Sequence, residues 1–229
     1  MFDIIAFDAD DTLWHNETIF SLTQDKLKGL LSKYRDTGDL ERDLYEVESR
    51  NLRYFGYGIK SFTLSMIETA IELTDGRISG REIEQILNFG KEMLETPTQL
   101  LPGVAETISA LTEHYPLMII TKGDLIDQET KIAQSGLADH FTHIEIVSEK
   151  TPAVYQTLLT KYGLEPERFI MIGNSLRSDI LPVLEIGGQA IHIPYQITWA
   201  HEDVTEADNQ RTYLEAAEIS EVPGLIGSL

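Results

Sequence analysis

The chain of 229 residues contains no cysteine. This absence excludes disulfide frameworks, zinc–thiolate centres, iron–sulfur clusters and cysteine nucleophiles, and it is compatible with a reducing compartment. Long apolar runs are missing as well, because no segment reaches the roughly 18 residues that a membrane-spanning helix requires. The first residues also lack the basic region of a signal peptide. The sequence therefore predicts a cytoplasmic protein.

Basic residues are scarce: 18 Lys and Arg face 38 Asp and Glu, which gives a formal net charge of -20. Such a surface repels the phosphates of nucleic acids and anionic lipids, so neither nucleic acid nor a membrane is an expected partner. Hydrophobic residues make up 42% of the chain, which is typical of a globular protein with its own core. This composition does not specify an oligomeric state.

Five short apolar runs end at small or polar residues, which is typical of strands buried on both faces. Segments with helical spacing of apolar residues separate the later runs. This alternation predicts an α/β fold with a Rossmann-like parallel sheet. The runs cover residues 2–7, 117–120, 144–147, 169–172 and 189–193.

One stretch interrupts this alternation with four helical patterns and no buried strand. We expect a small all-helical cap over residues 15–96, inserted after the first strand of a catalytic core made of 1–14 and 97–229. The alternative is a single mixed domain in which all four helices find faces on one sheet. The tail after Pro194 is strongly acidic, and it is interpreted as a solvated face.

The carboxyl ends of parallel strands form the ligand-binding edge of such a sheet, so the residues just after each run are informative. Asp8, Asp10 and Asp11 follow the first run. Carboxylates this close repel one another unless a cation or a proton compensates, and Mg²⁺ is the hard cation that prefers oxygen ligands. The structural alternative is that Asp10 or Asp11 caps the next helix.

Three further groups follow the later runs. Thr121, Lys122 and Gly123 offer a hydroxyl and backbone N–H groups that suit a phosphate, or they form an ordinary turn into a helix. Lys150 could neutralise a phosphate or a carboxylate cluster. After the fourth run, Gly173 is expected to let the backbone turn, and Asn174 and Asp179 add oxygen donors to the same edge, or the segment simply starts a capped helix.

Together these four groups resemble the motifs of the haloacid dehalogenase superfamily, in order and spacing. The run Phe7-Asp8-Ala9-Asp10-Asp11-Thr12-Leu13 is similar to its first motif, Thr121 to its second, Lys150 to its third and residues 173–179 to its fourth, and the insert resembles a C1-type cap. The resemblance implies a phosphatase acting on a small phosphorylated metabolite through an aspartyl-phosphate.

The resemblance also implies a role for each residue. Asp8 is the nucleophile, Asp10 the general acid and base, and Lys150 the charge-balancing lysine, with Lys122 as the alternative. The phosphate binds to Thr121, Lys122 and Gly123. The Mg²⁺ ligands are Asp8, Asp10 through its carbonyl, Asn174 and Asp179.

Two departures from the family pattern keep other functions open. Asn174 stands where the fourth motif commonly has Asp, and Lys150-Thr151-Pro152-Ala153 lacks the commoner Lys-Pro run. The alternatives are a 2-haloacid dehalogenase and a phosphate-binding protein with weakened catalysis. Asp10 argues against the dehalogenase, since that chemistry needs no acid for an alkoxide leaving group.

Overall fold

A computed structural model describes residues 2–34, 37–197 and 213–229. The chain divides into two compact units. The first contains Met1–Glu17, Thr98–Lys122 and Glu129–Leu229, and the second contains Thr18–Pro97 and Gly123–Gln128. The six-residue segment at 123–128 is the chief difference between this division and the boundaries expected from the sequence.

The described strands of the first unit form one parallel sheet of six strands in the order β3-β2-β1-β4-β5-β6. This arrangement confirms the predicted Rossmann-like α/β fold. The strands are β1 (Ile4–Phe7), β2 (Leu117–Lys122), β3 (His143–Val147), β4 (Phe169–Gly173), β5 (Gln189–His192) and β6 (Leu214–Glu215). The described helices are α1 (Glu17–Leu31), α2 (Leu40–Phe55), α3 (Ile59–Leu73), α4 (Gly80–Glu95), α5 (Val104–Thr112), α6 (Leu125–Ser135), α7 (Pro152–Tyr162), α8 (Leu181–Glu185) and α9 (Val222–Ile226).

The central strand β1 is buried on both faces, as its continuous apolar run predicts. Ile5 and Phe7 belong to the apolar core that includes α5, whereas Ile4 and Ala6 belong to the core that includes α7. Alternate residues of a strand point to opposite faces, so β1 needs apolar residues at every position. This burial holds the residue after β1, Asp8, at the carboxyl edge of the sheet.

Strand β6 lies in the acidic tail and was not predicted. It pairs with β5 through only two residues, Leu214 opposite Ile191 and Glu215 opposite His192. A strand this short has no periodicity to detect. Residues 198–212 of the same tail lie outside the described part of the chain.

Helices α1 to α4 make up most of the second unit and have an apolar core of their own. Each of the four contributes buried residues to it, among them Leu27, Leu44, Met66 and Ile86. Their helical spacing of apolar residues is the pattern from which the four helices were predicted.

Backbone hydrogen bonds close the two ends of the connection that runs from β1 through the helices to α5. His15 N–H donates to the carbonyl of Gln99 at 3.1 Å, and Leu101 N–H donates to the carbonyl of Leu13 at 2.9 Å. Trp14 forms an antiparallel bridge with Leu100 between them. The chain therefore leaves and re-enters the first unit through one short pair of strand-like segments, which we call the neck (residues 13–15 and 99–101).

Glu82 is a charged group inside the second unit. Its carboxylate accepts from Ser79 N–H at 2.7 Å within a capping box that starts α4, and from the Tyr34 hydroxyl at 2.7 Å. The ammonium of Lys33 lies against the same carboxylate. The bond from Lys33, followed by those from Tyr34 and Ser79, lowers the pKa of Glu82 below its ordinary value.

We expect Glu82→Gln to lower the thermal midpoint at pH 7 and to have a smaller effect at pH 3, where only part of this stability has been lost. A depressed folded-state pKa contributes stability above the ordinary Glu value of about 4.3, and this stability is lost as the pH falls towards the folded pKa. Calorimetry at both pH values measures the difference. The matched control is Glu84→Gln, an exposed position on the same helix; an equal effect of both substitutions would contradict the assignment.

No helix within the described residues combines the length and apolar character needed to cross a bilayer.

Candidate active site

Asp8 is the first residue after β1, and its side chain is 9% exposed. Its backbone N–H donates to the carbonyl of Ile172 on β4 at 2.8 Å. The Thr12 hydroxyl lies 2.9 Å from Asp8 Oδ2, and the ammonium of Lys150 contacts Oδ1. Burial raises the pKa of Asp8 to about 7, because it outweighs the opposing attraction of Lys150.

Lys150 follows β3 and joins Asp8 to Asp179. Its ammonium lies 2.7 Å from Asp179 Oδ1, and its side chain is 1% exposed. Burial alone would lower its pKa, but the charges of Asp179 and Asp8 prevail and raise the pKa above its ordinary value. Lys122, the alternative, donates instead to the Ser178 hydroxyl at 3.0 Å. The geometry thus favours Lys150 as the lysine that compensates the negative charges of Asp8 and Asp179.

Asp179 lies in a single turn of π-helix, Leu176–Ile180, that precedes α8. The Ser175 hydroxyl accepts from Ser178 N–H at 3.0 Å and caps this turn, while Ser175 N–H donates to Asp179 Oδ2 at 3.0 Å. Such turns occur often at functional sites. A capped helix was the structural alternative for this segment in the sequence analysis. The segment is capped by Ser175 but begins with the wider π-helical turn, in which Asp179 accepts from the N–H of that capping residue.

Gly173 does not supply the turn that the sequence analysis expects, because it is the last residue of β4 and lacks the positive φ found at other glycines. A Cβ atom at Gly173 would lie 2.2 Å from Asp179 Oδ2 and 2.4 Å from its Cγ. Its function is therefore to leave room for the Asp179 carboxylate beside the end of the strand.

Asn174 and Asp8 share one hydrogen-bond partner, the Thr12 hydroxyl. Its Oδ1 is 3.3 Å from the Thr12 hydroxyl, and its N–H donates to that hydroxyl oxygen at 3.1 Å. The backbone carbonyl of Asn174 is 3.0 Å from His192 Nε2. Thr12 therefore ties the first predicted motif to the fourth.

Asp10 and Asp11 have different partners. The Asp11 carboxylate accepts from the N–H groups of Asn16 at 2.8 Å and Glu17 at 3.0 Å, where α1 begins, so Asp11 provides the helix cap that was the structural alternative. Burial raises the pKa of Asp11 to about 8. Asp10 instead accepts from Trp14 Nε1 at 2.7 Å and from Lys131 Nζ at 3.1 Å.

The predicted phosphate-binding residues end β2. Thr121 is buried at the carboxyl edge of the sheet, opposite Ile146 of β3. Lys122 is tied to Ser178 in the turn that holds Asp179. Gly123 belongs to the second unit, and its φ of 148° lies in the region that favours glycine.

The donors at this edge are oxygen atoms, which is the chemistry that a hard cation such as Mg²⁺ prefers. Among the described residues, no three His, Asp or Glu side chains form a metal-binding group, so a cation would need the Asn174 amide or the Asp10 carbonyl besides Asp8. Both Asp179 oxygens already accept hydrogen bonds, from Lys150 and Ser175. The same is true of both Asp8 oxygens, and each carboxylate oxygen keeps a second lone pair. Oxygen atoms of Asp8, Asn174, Asp179 and the Asp10 carbonyl are therefore a donor set that fits Mg²⁺, with an amide at Asn174 in place of a carboxylate.

Sequence reasoning missed Trp14 and Lys131, which contact the Asp10 carboxylate, and Asn16, which contacts Lys131. Lys131 lies 121 positions from Asp10, so only the assembled sheet brings them together. No sequence pattern identified Lys131. In the structure it follows the buried Gln128 by three residues and directly precedes the buried Ile132, which places it near the buried face of α6.

Comparison with known proteins identifies relatives over nearly the whole chain. A family model described as haloacid dehalogenase-like hydrolase matches residues 2–187. The crystal structure of a haloacid dehalogenase-like family hydrolase from Xanthomonas campestris is 43% identical, with a TM-score of 0.89, covering 99% of this chain and 91% of that one. The resemblance found in the sequence is thereby confirmed at the level of the family.

Several curated relatives are named glyceraldehyde 3-phosphate phosphatase, and two of them illustrate the match. The protein from Methanothermobacter thermautotrophicus is 25% identical over 222 residues, which are 90% of this chain and 92% of that protein. The protein from Pyrococcus furiosus is 33% identical over 101 residues, 42% of each chain, so the match spans less than half of that relative.

Proposed function

The chain belongs to the haloacid dehalogenase-like hydrolase family, and we propose that it is a Mg²⁺-dependent phosphatase for the monophosphate ester of a small metabolite. The observation that carries this proposal is the buried Asp8 carboxylate at the carboxyl end of β1, held between Lys150 and Thr12. A carboxylate fixed in this way is suited to nucleophilic attack. The names of the two curated relatives support a phosphorylated substrate.

In the first step, a carboxylate oxygen of Asp8 attacks phosphorus and the bond between phosphorus and the ester oxygen breaks. The departing oxygen takes a proton from the Asp10 carboxyl group and leaves as an alcohol, while Asp8 carries the phosphoryl group. Lys150 compensates the negative charge on Asp8 and on the transferring group. Asp179 holds the Lys150 ammonium for this task at 2.7 Å.

In the second step, water attacks the aspartyl-phosphate. The Asp10 carboxylate accepts the proton of that water, the bond between phosphorus and Asp8 breaks, and inorganic phosphate leaves. Asp10 is thereby returned to its protonated state and Asp8 to its ionised state. Thr121, Lys122 and Gly123 are proposed to bind the phosphoryl oxygens with a hydroxyl, an ammonium and backbone N–H groups.

Asp8, Asn174, Asp179 and the backbone carbonyl of Asp10 would hold Mg²⁺. When bound, the ion neutralises phosphate charge and orients the phosphoryl group. Together with Lys150, a cation held there would make the local potential positive in a protein whose net charge of -20 otherwise repels an anionic substrate.

We expect hydrolysis of p-nitrophenyl phosphate to fall by about 100-fold or more when EDTA removes divalent ions, since a bound metal supplies several kcal/mol of transition-state stabilisation. Excess Mg²⁺ should restore the rate, and phosphate release measures both. The control is the same titration with Ca²⁺, a larger cation that requires more ligands. Full turnover in EDTA would contradict the metal-dependent mechanism.

Two further measurements distinguish the phosphatase from the alternative functions. Chloride release from a 2-haloacid without metal, together with no phosphate release, would replace the phosphatase with a dehalogenase. Inactivity towards a panel of phosphorylated metabolites, with retained binding of inorganic phosphate, would favour a phosphate-binding protein.

A further inference from the structure

Lys131, on α6, forms a two-point contact with the Asp10 carboxylate. Its ammonium lies 3.1 Å from Oδ1 and 3.2 Å from Oδ2. The Lys131 side chain is 12% exposed and that of Asp10 is 22% exposed, so the pair is largely removed from water. Water competes weakly for such a pair, and its geometry is better defined than that of an exposed ion pair.

Trp14 fixes the same carboxylate from within the loop after β1. Its Nε1–H donates to Asp10 Oδ1 at 2.7 Å, and its ring is fully buried. A bridge also pairs the backbones of Asp10 and Trp14. One rigid donor and one cation therefore restrain the rotation of the Asp10 carboxylate.

Asn16 restrains the lysine in turn. Its Oδ1 accepts from Lys131 Nζ at 2.8 Å, and its backbone N–H donates to Asp11 Oδ1 at 2.8 Å. The helix cap of α1 thus holds the residue that orients Lys131. These contacts form a continuous series of hydrogen bonds from the start of α1 to the Asp10 carboxylate.

We propose that Lys131 is a positioning residue that holds the Asp10 carboxyl group in the orientation required for proton transfer. The inference rests on the proposed function, in which Asp10 delivers a proton to the departing oxygen. A proton donor must lie within hydrogen-bond reach of its acceptor, and small misplacements of a reacting group reduce rates strongly. Loss of Lys131 should therefore slow the reaction most for substrates whose leaving group must be protonated.

The test compares two substrates that differ in this need. The alcohol leaving glycerol phosphate requires protonation, whereas the phenolate leaving p-nitrophenyl phosphate departs without it. In Lys131→Met we expect kcat/KM to fall by about 30- to 100-fold for glycerol phosphate and by about threefold or less for p-nitrophenyl phosphate, since general acid catalysis contributes about 10²–10⁴-fold. kcat/KM reports the steps up to departure of the leaving group.

Three further variants complete the design. Asp10→Asn should show the same preference for the aryl ester, and the double variant with Lys131→Met should lose little more, because the two residues act as a unit. Lys131→Arg should recover part of the loss. Trp14→Phe, which keeps an aromatic ring but removes the donor, should shift the substrate ratio in the same direction.

Lys161→Met is the matched control, since Lys161 pairs with Glu145 at an exposed position. Its substrate ratio should equal that of the wild type. An equal loss on both substrates in Lys131→Met would show a merely structural role and overturn the inference while leaving the phosphatase intact. A wild type that hydrolyses neither ester would overturn the proposed function, and the inference with it.

Discussion

Asp8→Asn is expected to lower kcat/KM for any phosphate ester by about 10⁴-fold or more, the scale on which removal of a covalent nucleophile acts in other hydrolases. Asparagine keeps the shape of the side chain and one oxygen that can accept from Lys150, while its amide group can donate to the Thr12 hydroxyl, but it cannot form the acyl phosphate. Rapid quenching with labelled substrate should detect a phosphorylated wild type and no phosphorylated variant.

The fold of the Asp8→Asn variant should survive. Burial raises the pKa of Asp8 to about 7, which means that the folded protein disfavours the charged carboxylate there, and a neutral amide avoids this penalty. We therefore expect a thermal midpoint no lower than that of the wild type, so that lost activity does not reflect lost structure.

Asp11→Asn provides the matched control three residues away. Asp11 has a positive φ of 61°, which asparagine tolerates, and an amide oxygen can accept from the N–H groups of Asn16 and Glu17. Activity close to that of the wild type is expected. Wild-type turnover in Asp8→Asn would exclude covalent catalysis by this carboxylate.

Lys150→Met is expected to produce the largest loss of stability, about 3–5 kcal/mol, because it leaves Asp8 and Asp179 buried without their shared cation. Activity should disappear as well. Urea unfolding measures the free energy, and an added Asp179→Asn substitution should recover part of it by removing one unpaired charge. Lys26→Met is the control, since the exposed pair of Lys26 with Glu92 should be worth at most about 1 kcal/mol.

The pH dependence follows from the direction of the pKa shift at Lys150. A lysine whose folded-state pKa is raised contributes stability that is complete below its ordinary value of about 10.4 and is lost as the pH rises through the folded pKa. The difference between wild type and Lys150→Met should therefore be present at pH 7. A difference below 1 kcal/mol at pH 7 would contradict the arrangement described for Lys150.

The sequence predicted the strands well because continuous apolar runs and burial on both faces coincide, as in β1 and β4. It also located the edge of the sheet where Asp8, Lys150 and Asp179 emerge. Their pairing could not be read from the chain, since Asp8 and Lys150 are 142 positions apart. Only the strand order brings the two ends together.

Local rules explain the other differences. The π-helical turn at Leu176–Ile180 depends on hydrogen bonds of Ser175 and Asp179 that a helical pattern of apolar residues does not encode. The different roles of two neighbouring aspartates could not be predicted from the sequence either. Asp11 caps α1, whereas Asp10 forms an ion pair with Lys131. Side-chain chemistry alone does not distinguish them; the backbone direction after β1 does.

The neck has a consequence for chain entropy. The cost of closing a flexible loop grows only with the logarithm of its length, about 0.6 kcal/mol for each doubling. At the neck, backbone hydrogen bonds join His15 to Gln99 and Leu13 to Leu101. The two ends of the connection are therefore held together whatever segment lies between them. A long helical insertion with its own core can therefore vary in size and sequence at small expense to the sheet that carries Asp8.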